Sequence, residues 1–283
     1  MGARDLGERL FVRAVSPPRL SRATARLADW RAPAPILRAL MRAYIRAYRV
    51  DMSEVAEPLS SFATFNAFFT RRLRAGARPI STEPGTVVSP SDSRLASIGM
   101  LPEDGLLEQI KGRTYSLADL LGSAPDAMVF ARGVHATLYL SPSMYHRVHS
   151  PVDGVIRSWR YLPGRLFPVN TMAVRQVEGL FAVNERVCLR IDTVEFGPVA
   201  VVMVGATNVG RISLSFADLV TNEGRPAGEV TPPAPIPVAR GDELGAFNLG
   251  STVVLLVADH SLRPAGVAPG DIVRVGQPLW RRP

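Results

Sequence analysis

The sequence predicts an α+β protein in which an N-terminal helical arm sits on an antiparallel, β-rich body. Three observations carry that expectation. Residues 1–75 show helical apolar spacing punctuated by Pro17, Pro18, Pro33 and Pro35. Beyond Pro79, short β-branched runs alternate with glycine and proline, and the whole net charge of +8 lies in the first fifty residues. With 283 residues, 47% of them apolar, the chain is globular and long enough for one large core or two small ones.

Taken in order, helices are expected at residues 5–15, 19–30, 35–50 and 61–73. Pro35 suits the first turn of the third, where its missing N–H has no partner to lose. Strands are expected at 86–88, 135–140, 154–158, 187–194, 199–204, 210–216, 252–257 and 272–275, each a short β-branched run bounded by turn formers. One further helix, 116–121, opens on Ser116 as its cap. Residues 231–237, with four prolines, read as an exposed loop. The division that follows is a basic helical region at 1–75 and a β-rich domain at 76–283.

Composition excludes several classes. Cys188 is the only cysteine, so no internal disulfide framework exists, and its strand-like setting at 186–191 marks a small buried hydrophobe. Arg4, Asp5, Glu8, Arg9, Arg13 and Arg19 interrupt any signal-peptide core. The longest uncharged apolar runs, 196–206 and 245–258, are too short to span a bilayer. The expected location is the cytoplasmic face of a cell membrane, peripheral and without a transmembrane helix. Lys111 is the only lysine among 33 basic residues, an arginine bias that fits a GC-rich bacterial genome.

The membrane enters through the charge. Eleven arginines face Asp5, Glu8 and Asp29 in residues 1–50. On the helix expected at 35–50, Arg38, Arg42, Arg46 and Arg49 share one face, while Leu37, Leu40, Met41, Tyr44, Ile45 and Tyr48 gather on another. Such a helix suits an anionic lipid interface, or equally a helix packed on its own domain with a solvated arginine face. No aromatic-interleaved basic motif points to nucleic acid.

Four segments cluster reactive groups: 88–95 with Asp92, 140–154 with His146 and His149, 204–212, and 241–252 with Gly250 and Ser251. A serine, a histidine and an aspartate on separate segments permit a Ser-His-Asp arrangement. Two histidines three apart permit metal ligation, but no third soft ligand lies near, so no metal is expected. Packed structural histidines are the other reading, and it is the one expected for His135 and His260.

Seven segments, in order, resemble the phosphatidylserine decarboxylase family. They are the opening motif at 68–80 (Phe-Phe-Thr-Arg-Arg-Leu-Arg-Ala-Gly-Ala-Arg-Pro-Ile), the Val-Ser-Pro-Ser-Asp turn ending at Asp92, and Ile-Lys-Gly-Arg-Thr-Tyr-Ser at 110–116. Tyr-His-Arg-Val-His-Ser-Pro at 145–151, Phe-Ala-Val-Asn-Glu-Arg at 181–186 and Val-Gly-Ala-Thr-Asn-Val-Gly at 204–210 follow, and Leu-Gly-Ser-Thr at 249–252 completes the set. The resemblance covers residues 68–257. Met144 stands where the family often has an acidic residue, and Ser93 where glycine is common.

The resemblance implies a chemistry by position. Ser251 attacks the carbonyl of Gly250, and elimination leaves a covalent pyruvoyl group at residue 251. The products are a β chain of 1–250 and an α chain of 251–283. His149 serves as the base for maturation and Asp92 orients it. The pyruvoyl carbonyl then forms a Schiff base with the serine amine of phosphatidylserine and acts as electron sink for the carbanion left by CO2. His146 is the implied proton donor to that carbanion, giving phosphatidylethanolamine. Phe167, Val169 and Asn170 are candidates to line the head-group or acyl channel. The partners implied are phosphatidylserine, the anionic membrane surface and the two chains of one precursor, and a homodimer is compatible with the sequence without being specified by it.

Three rival readings are weaker. A pyridoxal-phosphate decarboxylase would need Lys111 as its Schiff-base lysine, in a setting without a phosphate loop. The strand-turn patterns at 150–154 and 269–279 resemble the barrel-sandwich folds of biotinyl and lipoyl carriers, but neither has an attachment lysine, so they are kept as barrel-sandwich-like elements of the architecture. An inactive membrane scaffold would have no need to keep Asp92, His146, His149, Gly250 and Ser251 together.

Overall fold

Prolines mark where the first helices begin. The computed structural model describes residues 18–110, 113–207, 211–248 and 251–283, so the expected helix at 5–15, Lys111 and Gly250 lie outside the described residues. Helix α1 spans Pro18–Ala28 and α2 spans Ala34–Tyr48, with Pro35 in its first turn and Arg49 closing it in the left-handed conformation.

The helix expected at 61–73 is broken. A 3-10 turn, Leu59–Ser61, precedes a short α3, Phe65–Phe69, capped by the Thr64 hydroxyl. Beyond it the chain runs extended, because Leu73 bridges to Val55 and the neighbouring backbone groups of residues 54–56 and 72–74 hydrogen-bond across. These long-range partners outweigh the local helical preference of the segment.

The arm has its own small core of Leu37, Met41, Val50, Val55, Phe62 and Phe68. This splits the apolar stripe expected on α2. Leu37 and Met41 are buried, whereas Ile36 and Leu40 are 57% and 54% exposed. At 100° per residue α2 therefore carries three faces: one packed, one apolar and open, and one of exposed arginines at 38, 42 and 46.

The body is antiparallel sheet. Its strands include β1 (Thr86–Val88), β2 (Ser93–Met100), β3 (Val134–Leu140), β4 (Arg147–His149), β5 (Gly154–Leu162), β6 (Arg186–Thr193), β7 (Gly197–Val204), β8 (Ile212–Leu214), β9 (Glu243–Phe247) and β10 (Ser251–Val257). Among the described residues the largest sheet runs β5-β6-β7-β10-β3-β2, extended by short strands at Gly228–Val230 and Ile272–Val273. β10 is its centre, paired to β3 on one side and β7 on the other, with Val253 to Val257 all fully buried. Burial on both faces explains why this strand reads as a continuous apolar run. A three-stranded sheet of β8, β9 and β4 lies at its N-terminal end, and no closed barrel forms among the described residues.

The α+β expectation therefore holds, with the strand positions met to within a few residues. The alternation that announces a half-buried strand is weak in β2 and β9, and neither was expected. The region 231–237 is mostly exposed, although Ile236–Val238 adds an edge strand to β5.

Candidate active site

Ser251 is the first residue of β10, opposite Leu140 of β3. It is 1% exposed, and its hydroxyl has no hydrogen-bond partner among the described residues. It lies at a cavity of about 400 Å³, lined mainly by apolar groups of α1, α2, α3 and the sheet. Leu27, Leu40, Tyr44 and Tyr48 come from the arm, and Leu140, Val169, Asn170 and Thr207 from the body. A buried hydroxyl without a partner is costly, which makes it a candidate functional group rather than a packing choice.

His149 ends β4. Its Nδ1–H donates to the Gly241 carbonyl at 2.7 Å, and its Nε2 accepts the Tyr145 hydroxyl at 3.1 Å. The rings of Tyr145 and His149 stack 5.6 Å apart. Gly241 is at φ +93°, and a Cβ there would stand 2.8 Å from the Ile80 side chain, so only glycine presents this carbonyl to His149. Burial holds the His149 imidazole below its ordinary pKa, partly offset by the Gly241 bond and the nearby charges of Glu243 and Asp92.

Asp92 sits in the turn between β1 and β2, 6% exposed. Its carboxylate accepts the forked guanidinium of Arg78 and the backbone N–H of Val275 at 3.0 Å. Arg78 also reaches Glu54 at 2.8 Å. No hydrogen bond joins Asp92 to His149 among the described residues, and its charge is a smaller influence on that imidazole than burial, the Gly241 bond or Glu243.

His146 is fully buried against Phe69, ring centroids 4.1 Å apart. Its Nδ1–H donates to the Met144 carbonyl at 2.8 Å, and its Nε2 has no partner among the described residues. Met144 therefore holds His146 through its backbone, whatever its side chain. Burial pushes the imidazole down to about 3, with Arg71 adding to the depression and the Met144 bond opposing it. His146 is neutral, with Nε2 a bare acceptor. Phe69 both packs on this ring and lines the cavity.

The structure thus brings Ser251, Val169 and Asn170 to one cavity and sets His146 behind its Phe69 wall. His149 and Asp92 are not among the residues that line it and are held by their own partners, His149 by Gly241 and Tyr145 and Asp92 by Arg78 and Val275. Phe167 packs against the main core, its backbone N–H and carbonyl held by Asn184. Asn170 also caps the helix Thr171–Gln176. Arg78, Tyr145, Gly241 and Phe69 were not singled out from the sequence. Arg78 and Phe69 fall inside the motif at 68–80, and Tyr145 inside that at 145–151, so the motifs were the signal that could have found them.

The residues fit a group formed from Ser251 itself. A buried hydroxyl after a segment ending in glycine, a mainly apolar cavity and a buried imidazole behind its Phe69 wall suit carbonyl chemistry at residue 251.

The sequence model of the phosphatidylserine decarboxylase family matches residues 65–281. The chain is 45% identical over 284 residues to a phosphatidylserine decarboxylase proenzyme of Anaeromyxobacter sp. strain K, covering 97% of this chain and 99% of that one. It is 44% identical to the proenzyme of Bordetella pertussis over 92% of this chain and 89% of that one. With the proenzyme of Myxococcus xanthus the identity is 43% over 79% of each.

Proposed function

The chain belongs to the phosphatidylserine decarboxylase family, and from that premise we propose that it is a self-processing proenzyme that turns phosphatidylserine into phosphatidylethanolamine and CO2. The observation that carries the processing is the Ser251 hydroxyl, buried without a partner among the described residues at the start of the central strand.

Self-cleavage runs through this chain's own atoms. The Ser251 hydroxyl loses its proton to a base and attacks the Gly250 carbonyl carbon. The Gly250–Ser251 C–N bond breaks as the new C–O bond forms, and the amine of residue 251 takes up a proton. Loss of the Ser251 Cα proton then breaks the ester C–O bond, releasing the Gly250 carboxylate and leaving dehydroalanine at 251. Water hydrolyses its imine tautomer, ammonia departs, and a pyruvoyl group remains. That group supplies an electron sink for the carbanion left by CO2.

The base is His149, neutral and shielded, with Asp92 raising its proton affinity through space. Its Nε2 is engaged by Tyr145, so maturation includes a local shift that frees it and brings it toward Ser251. Once cut, residue 251 stays at the cavity because β10 remains laddered to β3 and β7. His146 then handles the proton at the substrate carbon, taking one at Nε2 before it gives one.

The lipid reaches this cavity between α1 and α2. Leu27, 67% exposed, and Leu40 line the cavity and also face solvent, with Trp30, Ile36 and Tyr48 exposed nearby. An exposed apolar patch beside an arginine face suits peripheral docking on an anionic phospholipid surface. No helix of the described residues is long and apolar enough to cross a membrane.

Intact mass under denaturing conditions, paired with CO2 release from phosphatidylserine vesicles, tests this reading. Two chains, the smaller beginning at residue 251 with a blocked, ketone-reactive end, together with CO2 release, support it. A single uncut chain that releases no CO2 overturns it.

A further inference from the structure

Four side chains close a ring at the last described residue before the Gly250–Ser251 bond. Asn66 of α3 donates from Nδ2 to Asn248 Oδ1 at 3.0 Å and to Asp29 Oδ1 at 2.9 Å. Asp29, just past the end of α1, pairs through its other oxygen with Arg211 Nη1 at 2.7 Å. Asn248 completes the circle, its backbone N–H and Nδ2 donating to the Arg211 carbonyl at 2.9 and 3.1 Å.

We infer that this ring positions the scissile segment for self-cleavage and so makes maturation of the β-rich body depend on the docked helical arm. The inference rests on the self-processing reading above. The β8–β9 ladder ends at the pair Ile212 and Phe247, and beyond it Asn248 is held by its bonds to the Arg211 carbonyl and, from the arm, by Asn66 Nδ2 on its Oδ1. On the other side of the bond, Ser251 is held by its pairing with Leu140. Only Leu249 and Gly250 lie between these anchors, so the anchors limit the reach of the chain across the scissile bond. Attack requires the reacting atoms about 3–3.5 Å apart, and a misplacement of about 1 Å costs roughly a hundredfold in rate.

Two features suit the ring to this task. Its donors come from the arm (Asn66) and the body (Arg211, Asn248), so it forms only when the two are docked. It also keeps a buried acceptor, Asn66 Oδ1, and a buried donor, Arg211 Nε, without partners among the described residues. None of the four touches a reacting atom of the substrate, so they are positioning residues.

The test follows self-cleavage of the newly made full-length chain by intact mass, comparing wild type with Asn66→Ala, Asp29→Asn and the double variant. Both single variants are expected to cut about tenfold more slowly or worse. The double variant should be little slower than the slower single, because the two changes break one ring. Turnover of phosphatidylserine per pyruvoyl group should match wild type once cutting is complete. Wild-type cleavage rates in both variants overturn the inference. So does a parallel fall in cleavage, turnover per pyruvoyl group and melting temperature, which marks an ordinary packing contact. If Asn66→Ala does not fold, the nearly isosteric Asp29→Asn, at a side chain 34% exposed, decides alone. Wild-type chain that stays uncut overturns the self-processing reading and this inference with it.

Discussion

Arg78 grips Asp92 with two nitrogens, Nε 2.9 Å from Oδ1 and Nη2 2.5 Å from Oδ2, in a site where both side chains are about nine-tenths buried. A fork of this kind fixes the carboxylate in angle as well as position. Removing the cation leaves a buried charge without its partner. Arg78→Met is expected to lose roughly 3–5 kcal/mol of stability in urea unfolding and to stall self-cleavage. Arg78→Lys should recover only part of both, because an ammonium cannot reproduce the fork.

Ser251→Ala should leave a single uncut chain with no decarboxylase activity. Since the hydroxyl has no partner among the described residues, its removal costs no hydrogen bond to any of them, and the melting temperature should be unchanged or higher. Cleavage at the normal position in this variant would remove Ser251 as nucleophile.

His146→Asn should still mature, yet turn over phosphatidylserine about a hundredfold or more slowly with KM little changed, as expected for loss of a proton-transfer group. Wild type should also lose stability on acidification more steeply than the variant. The folded imidazole titrates at about 3 and the unfolded one near its ordinary value, so the loss accrues as pH falls through that window, by at most about 1.4 kcal/mol per pH unit. Equal acid sensitivity of the two proteins would show that His146 is not buried neutral.

Glu185 works with the opposite sign. Burial pushes its carboxyl up to about 7, against the pull of the Thr221 and Tyr161 hydroxyls. The folded state therefore holds a proton that the unfolded state has released, and stability is lost as pH rises from the ordinary carboxylate range through 7. Glu185→Gln should melt progressively higher than wild type between pH 5 and 7, levelling above that, by calorimetry across pH. A pH-independent difference would show an unshifted carboxyl.

The open apolar face of α2 and its arginine face can be tested separately on anionic vesicles. Leu40→Asp should weaken binding by about tenfold, since it places a charge in the apolar interface. Reversing Arg38, Arg42 and Arg46 should weaken binding mainly at low salt, because exposed charges are screened. Met41→Ala lies on the packed face, so it should lower the melting temperature while leaving binding per folded molecule unchanged.

The candidate residues of this site are legible in the sequence because they lie in short contiguous motifs. Asp92, His146, His149 and Ser251 each lie in such a segment, and the run Val253–Val257 announces a central strand by composition alone. The helical spacing of 61–73 does not yield one helix because residues 72–74 pair with residues 54–56, a contact that no local period reports. The stripe on α2 was read as one surface because periodicity gives the angle between side chains but not what stands opposite each of them.

The sequence by itself determined the family and the residues on which the proposed chemistry rests: a hydroxyl after glycine, two histidines, one aspartate and a basic arm. Only the tertiary structure decided their states. His146 is a neutral acceptor because Phe69 and the surrounding core remove water from it, and Asp92 is held by Arg78, fourteen residues earlier in the chain. The ring joining Asp29, Asn66, Arg211 and Asn248 spans more than 200 positions. Protonation and placement depend on desolvation and on hydrogen bonds from distant segments, and these exist only once the chain has brought those segments together.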